Sequence, residues 1–247
     1  MTKIIRLIWR FDFDPNWQFL DRRGSTLRIL HETVPAFFTR IGDGSIVDSF
    51  AAEHTESDSS RKFSTEVASI NGSFEWYKGI DIDKLLISKS FRDCDKLFTA
   101  LSNLYDLNII RRAGLRTIGV STNIKRVCNR SFDGWVHPDI SNEITSHFGA
   151  PRDVGIVIDG QGDDQLYYRA NIGPIAIKNI EMNIPSASEL QAKQLHDDYL
   201  HFFDIDLFEI NFKMSNRSLY RWASTKIDKI EGFLPLLDKM FVGSSAS

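Results

Sequence analysis

Cysteine is almost missing from this 247-residue chain, which holds two, Cys94 and Cys128. Two cysteines cannot frame a disulfide scaffold, and the simplest reading is a pair of reduced thiols in a cytoplasmic protein. Long apolar runs are missing too. The opening Met1-Thr-Lys-Ile-Ile-Arg-Leu-Ile-Trp-Arg10 is broken by Arg6 and Arg10 and is too short for a signal peptide or a membrane span. A net charge of −3 supplies no global pull toward nucleic acid or an acidic membrane, so any such binding needs a local patch. There is no phosphate-cradling glycine loop, no Cys-x-x-Cys, no Gly-x-Ser-x-Gly and no His-Glu-x-x-His. No cofactor or metal is therefore assigned, and no catalytic residue is nominated.

What is abundant is ring. The chain has 18 phenylalanines, a density that belongs in cores or at an interface. Phe91, Cys94, Leu97, Phe98, Leu101, Leu104 and Tyr105 recur at steps of three and four, the period of an amphipathic helix, with Ser90 and Asp93 as its expected cap. A strand follows from 107, with close backbone approach expected at Gly114 and Gly119. Residues 3–13 alternate as a first strand, Ile5, Leu7, Trp9, Phe11 and Phe13 on one side.

Asp21-Arg-Arg-Gly24 reads as a turn, and the polar residues 53–61 as a surface loop. Asn71-Gly72 predicts a hairpin between strands at 62–69 and 72–78. A short helix is expected around 140–148, and a second hairpin from 153–159 and 165–172. Pro185-Ser-Ala-Ser-Glu189 opens a helix expected to reach His201. The strand at 204–214 changes phase, which predicts a bulge at Leu207-Phe208. Leu219, Trp222, Ile227, Ile230, Phe233, Leu234 and Leu237 mark a C-terminal helix, interrupted near Gly232 and Pro235. The order predicts an α+β fold, a largely antiparallel sheet with long amphipathic helices on one face. A single domain over 1–242 is expected, compatible with halves 1–123 and 124–242, with 243–247 as a disordered tail.

Between Leu107 and Phe132 lie Arg111, Arg112, Arg116, Lys125, Arg126 and Arg130 with no Asp or Glu. Displayed together they would make a local positive field for a phosphodiester backbone or an acidic protein. The competing reading is ion pairing to carboxylates elsewhere in the chain. The pairs Asp12/Asp14, Asp81/Asp83, Asp163/Asp164 and Asp204/Asp206 are better explained as strand ends and turns than as metal ligands. His196 and His201 point apart on a helix and do not make a zinc site.

Arg112-Ala-Gly-Leu-Arg-Thr-Ile-Gly119 resembles the Arg-x-Gly-Leu-Arg-Tyr-x-Asn signature of an uncharacterised, sporadically distributed bacterial family of roughly this length. Thr117 and Gly119 stand where that family has its aromatic and its asparagine. Asp204-Ile-Asp-Leu-Phe208 is similar to the family's late Asp-x-Asp-x-Tyr/Phe strand. The resemblance implies an α+β protein and an accessory setting such as a defence system or a toxin–immunity pair. It marks Arg112, Gly114, Arg116, Asp204 and Asp206 as a structural signature, an arginine forking onto Asp204 or Asp206. The leading expectation is a non-enzymatic protein-interaction module, through a partner or self-assembly and not at a membrane. The alternative is nucleic-acid binding. In either case Arg111, Lys125, Arg126 and Arg130 are the contact candidates.

Overall fold

A computed structural model describes residues 2–43, 49–121, 138–149, 155–162, 165–176, 199–214 and 217–241. It is a mixed α/β structure built on one antiparallel sheet. The strands are β1 (Thr2–Asp12), β2 (Arg40–Asp43), β3 (Ser49–Thr55), β4 (Ser59–Glu66), β5 (Ser69–Ile80), β6 (Ile109–Ser121), β7 (Ile156–Gln161), β8 (Leu166–Ala176) and β9 (Tyr199–Lys213). The helices are α1 (Gln18–Asp21), α2 (Arg23–Glu32), α3 (Ile82–Leu85), α4 (Lys89–Leu104), α5 (Pro138–Phe148) and α6 (Leu219–Phe241). Nine strands lie in the order β2-β3-β4-β5-β1-β6-β9-β8-β7, so β1 and β6 run side by side near the middle.

The alternation of β1 decides which face is core. Leu7, Trp9 and Phe11 are fully buried, whereas Arg6, Ile8, Arg10 and Asp12 are half-buried or exposed on the opposite side. The Phe98 ring of α4 lies 5.7 Å from Trp9 and 4.6 Å from Phe11, and Trp222 of α6 lies 4.7 Å from Phe11. Such offset and edge contacts add to the area these rings remove from water. Lysine 226 is also buried here, its Nζ 2.9 Å from Glu209 of β9, whose other oxygen accepts from Trp222 Nε1 at 2.8 Å.

Several local expectations are corrected. The hairpin turn is not at Asn71-Gly72, which sits inside β5. Gly72 is there because a Cβ would stand 2.6 Å from the Trp9 ring directly across the ladder. The loop expected over 53–61 shrinks to residues 56–58, the exposed turn between β3 and β4; residues 53–55 close β3 and 59–61 open β4. Arg22 and Arg23 join α1 to α2 rather than forming an isolated turn. The cap of α4 is Ser88, whose hydroxyl accepts from the Phe91 amide at 3.2 Å, not Ser90.

The change of phase in β9 comes later than Leu207-Phe208. Alternation continues through Glu209 and breaks at Asn211, with φ of 51°, while the pairing with β6 resumes unshifted from Ile110↔Phe212. Gly119 is closely approached by Phe203, its cross-strand partner, but Gly114 has only ordinary contacts. Helix α6 runs unbroken through Gly232 and Pro235. Residues 199–201 begin β9, so they are not the end of a helix, and the helix expected from Pro185 otherwise falls outside the described residues. Cys128, Asp163, Asp164, His196 and the tail also fall outside them. Cys94 is buried, and burial pushes its thiol far above the usual range. Among the described residues no helix is long and apolar enough to cross a membrane.

Candidate functional site

The outer face of the central strands collects the conspicuous charges, and strand register explains how. Residues of one parity on β1, β6 and β9 point away from the aromatic core, which puts Arg6, Arg10, Arg112, Arg116, Asp204 and Asp206 on one surface. Their side chains pair in a consistent way. Arg116 forks onto Asp204 with distances of 2.7 and 2.5 Å, and Arg112 reaches Asp206 at 3.2 Å. Arg6 meets Glu75 at 3.0 Å, and Arg10 meets Asp12 at 2.6 Å. Each of these four arginines therefore faces a carboxylate.

The pattern extends sideways. Following the pairings from edge to edge gives Arg40, Glu53, Lys62, Ser73, Ile8, Arg116, Asp206, Arg169 and Asp159 as successive neighbours, one from every strand. Charges of opposite sign alternate along most of that row, the arrangement that stabilises cross-strand pairs. Near the β2 end the same face forms a shallow concavity of about 450 Å³, lined among others by Arg40, Glu53, Lys62, Asn71 and Ser73.

An aromatic stack sits beside the ion pairs. The Arg112 guanidinium lies 4.6 Å from the centre of the Phe208 ring, and Tyr167 of β8 stacks on Phe208 at 5.2 Å with 12° between planes. Gly114, directly across from Phe208, leaves the space over which the guanidinium extends. Arg112 is thus held by a carboxylate at one end and a ring at the other.

Asp206 is the electrostatically expensive member. Burial raises its carboxyl above the ordinary value against the opposing pull of Arg112 and Arg116, and Asp204 adds to the rise. The Arg116 guanidinium is raised further by its hydrogen bonds to Asp204. Both oxygens of Asp204 accept from Arg116, and Asp206 accepts from Arg112, so this pair of carboxylates is engaged by arginine. Among the described residues no group of three or more His, Cys, Asp or Glu side chains converges on a point where a metal ion could sit.

Arg112, Gly114, Arg116, Asp204 and Asp206 thus lie together on β6 and β9. Of the contact candidates, Arg111 alone is among the described residues. Arg111 is exposed at the far end of β6 and pairs with Asp14 beyond β1, while Lys125, Arg126 and Arg130 lie outside the described residues. Sequence reasoning missed Arg6, Arg10 and Arg169, because each stands alone between apolar or neutral neighbours. It also missed Tyr167, whose stacking partner is far away in the chain. The alternation of β1 carries the signal for Arg6 and Arg10: what opposes a buried Leu7, Trp9 and Phe11 must be outward.

The chain matches no family model, and no curated protein or solved structure matches it.

Proposed function

We propose that the chain is a non-enzymatic protein-interaction module whose docking surface is the outer face of β1, β6, β9 and β8. The observation that carries this is charge balance: Arg6, Arg10, Arg112 and Arg116 are matched by Glu75, Asp12, Asp206 and Asp204. A polyanion needs uncompensated cations to release its counterions, and this surface offers few. A protein partner with its own mixed charges can exchange ion pairs here and cover Phe208, Tyr167 and Ile210, the last 36% exposed. Arginine and tyrosine held in place before binding are the residue types on which interface energy concentrates.

The finer architecture fits the same reading. Among the described elements β1 is followed by α1, α2 and four strands of which the last, β5, lies beside it, and β6 by α5 and three strands of which the last, β9, lies beside it, the order that two like halves would have. Long amphipathic helices α4 and α6 pack on the core side, and on the other face Arg112, Tyr167, Phe208 and Ile210 keep surface open to a partner, while Ile118 and Val120 farther along β6 are buried. The bacterial defence or toxin-neutralising setting, and a cytoplasmic location, rest on the family resemblance and the cysteine content.

The test mixes the purified chain with the products of genes adjacent to its own and follows complexes by size-exclusion chromatography with light scattering. A complex should form and should weaken at least tenfold in Arg112→Glu/Arg116→Glu, whose side chains then repel Asp206 and Asp204. No complex with any neighbour product, or one indifferent to the double variant, removes the proposal. The alternative nucleic-acid reading rests on Arg111, exposed and paired with Asp14, together with Lys125, Arg126 and Arg130.

A further inference from the structure

The two ends of the sheet are finished differently. Strand β2 is short, four residues, and its Arg40 side chain is 84% exposed beside Glu53. Brevity and an exposed cation are ordinary protections against pairing with another strand. Strand β7 has neither protection: Ile156-Val-Ile-Asp-Gly-Gln161 contains no Lys, Arg or Pro, and its pairing with β8 runs without a bulge. Among the described residues β8 is its only ladder partner. An edge of this kind leaves a row of backbone N–H and C=O groups pointing outward, and what satisfies such a row most completely is another strand.

The same stretch of chain carries a second exposed feature. In α5, Ile140 is 55% exposed and Phe148 88% exposed, with Ile144 midway at helical spacing, so three apolar residues share a helix face.

We propose that β7 is a dimerisation strand, pairing antiparallel with β7 of a second copy and joining two nine-stranded sheets into one. The register follows from the residues. Facing positions in an antiparallel pair must share a sheet face, so the twofold axis falls on a residue, and the central choices are Ile158 and Asp159. Centring on Asp159 would set two carboxylates directly opposite each other, which is destabilising. Centring on Ile158 puts the two half-buried Ile158 side chains together on the core side and sets each Asp159 against the other copy's Val157, which is 57% exposed. The contact is self-complementary and closes at two copies. It uses none of the outer-face arginines of β1 and β6, so it stands or falls separately from the docking surface proposed above.

Sedimentation equilibrium on the full chain tests it at concentrations up to about 100 µM. The expected species has twice the monomer mass of 28.3 kDa. Val157→Asp sets a carboxylate against Asp159 twice per dimer and should raise the dimer dissociation constant roughly tenfold. Val157→Lys sets an ammonium there and should leave the constant unchanged or lower it. Both variants alter an exposed position, and matching circular-dichroism melts establish that they fold like the wild type. A wild-type mass that stays monomeric overturns the proposal, as does a dimer that both variants weaken alike or that neither affects.

Discussion

Replacing Lys226 by methionine should be among the most damaging single changes in α6, and the structure says why. The ammonium is nearly sealed, its side chain 7% exposed, against a Glu209 side chain 16% exposed. Nζ lies 2.9 Å from Oε1 of Glu209 and 3.3 Å from the Thr225 hydroxyl, while the second Glu209 oxygen takes the Trp222 indole N–H at 2.8 Å. Methionine keeps most of the volume but leaves the Glu209 carboxylate with the indole alone. An ionised group stripped of its buried partner costs about 3 kcal/mol, which for a chain of this size lowers Tm by about 6–12 °C. Glu209→Gln leaves the ammonium facing a neutral amide and should cost about 2 kcal/mol. The double variant Glu209→Gln/Lys226→Met should recover to within about 1 kcal/mol of wild type, because the amide still accepts from Trp222 and no charge is left alone. Urea unfolding at pH 7, followed by tryptophan fluorescence, measures all three. Additive losses in the double variant, or a Lys226→Met midpoint equal to wild type, would refute the claim that this pair clamps α6 to β9.

Other outcomes follow from named contacts. Folding raises the Asp206 carboxyl, so the folded chain binds more protons there in the window between its ordinary and raised values. Its contribution to stability falls as pH rises through that window and stays lost at pH 7. Asp206→Asn should therefore melt at or slightly above wild type at pH 7, the difference closing below the ordinary carboxylate range. Asp204→Asn should cost about 1 kcal/mol at pH 7, because it breaks the fork from Arg116. Gly119→Ala drives a methyl to 2.5 Å from the Lys3 carbonyl oxygen and into the Phe203 ring, and should cost about 3 kcal/mol in chemical denaturation. Gly232→Ala meets nothing within 4 Å on α6 and should add about 0.5–1 kcal/mol in the same assay.

Where periodicity is local, the residues announce their structure. Phe91, Cys94, Leu97, Phe98 and Leu101 are buried on α4 as their spacing requires, and Leu7, Trp9 and Phe11 mark the core side of β1. Where the reason for a residue is a distant neighbour, the local signal misleads. Asn71-Gly72 has the composition of a turn, yet its glycine answers to Trp9 across the ladder. Residues 53–61 look like solvent because β3 and β4 turn polar side chains outward, and Arg61 is buried by contacts that composition hides. Its Nε donates to the Phe37 carbonyl at 2.7 Å and its Nη1 to Glu56 at 2.9 Å.

The candidate site shows the same division. Arginines 111, 112 and 116 stand in an acid-free stretch of sequence, which reads as a positive surface. Their carboxylates come from elsewhere: Asp14 precedes them by most of a hundred residues, and Asp204 lies 88 positions after Arg116. Charge along a chain and charge on a sheet differ because antiparallel pairing brings β9 beside β6.

An outer face balanced in charge is proposed to take a protein surface rather than a polyanion. Fluorescence-anisotropy titration with single- and double-stranded DNA and RNA, at about 50 and 200 mM salt, tests it most directly. The expected result is no binding tighter than ordinary non-specific association, and no change in Arg112→Glu/Arg116→Glu. Tight, salt-dependent binding that this double variant abolishes would contradict it.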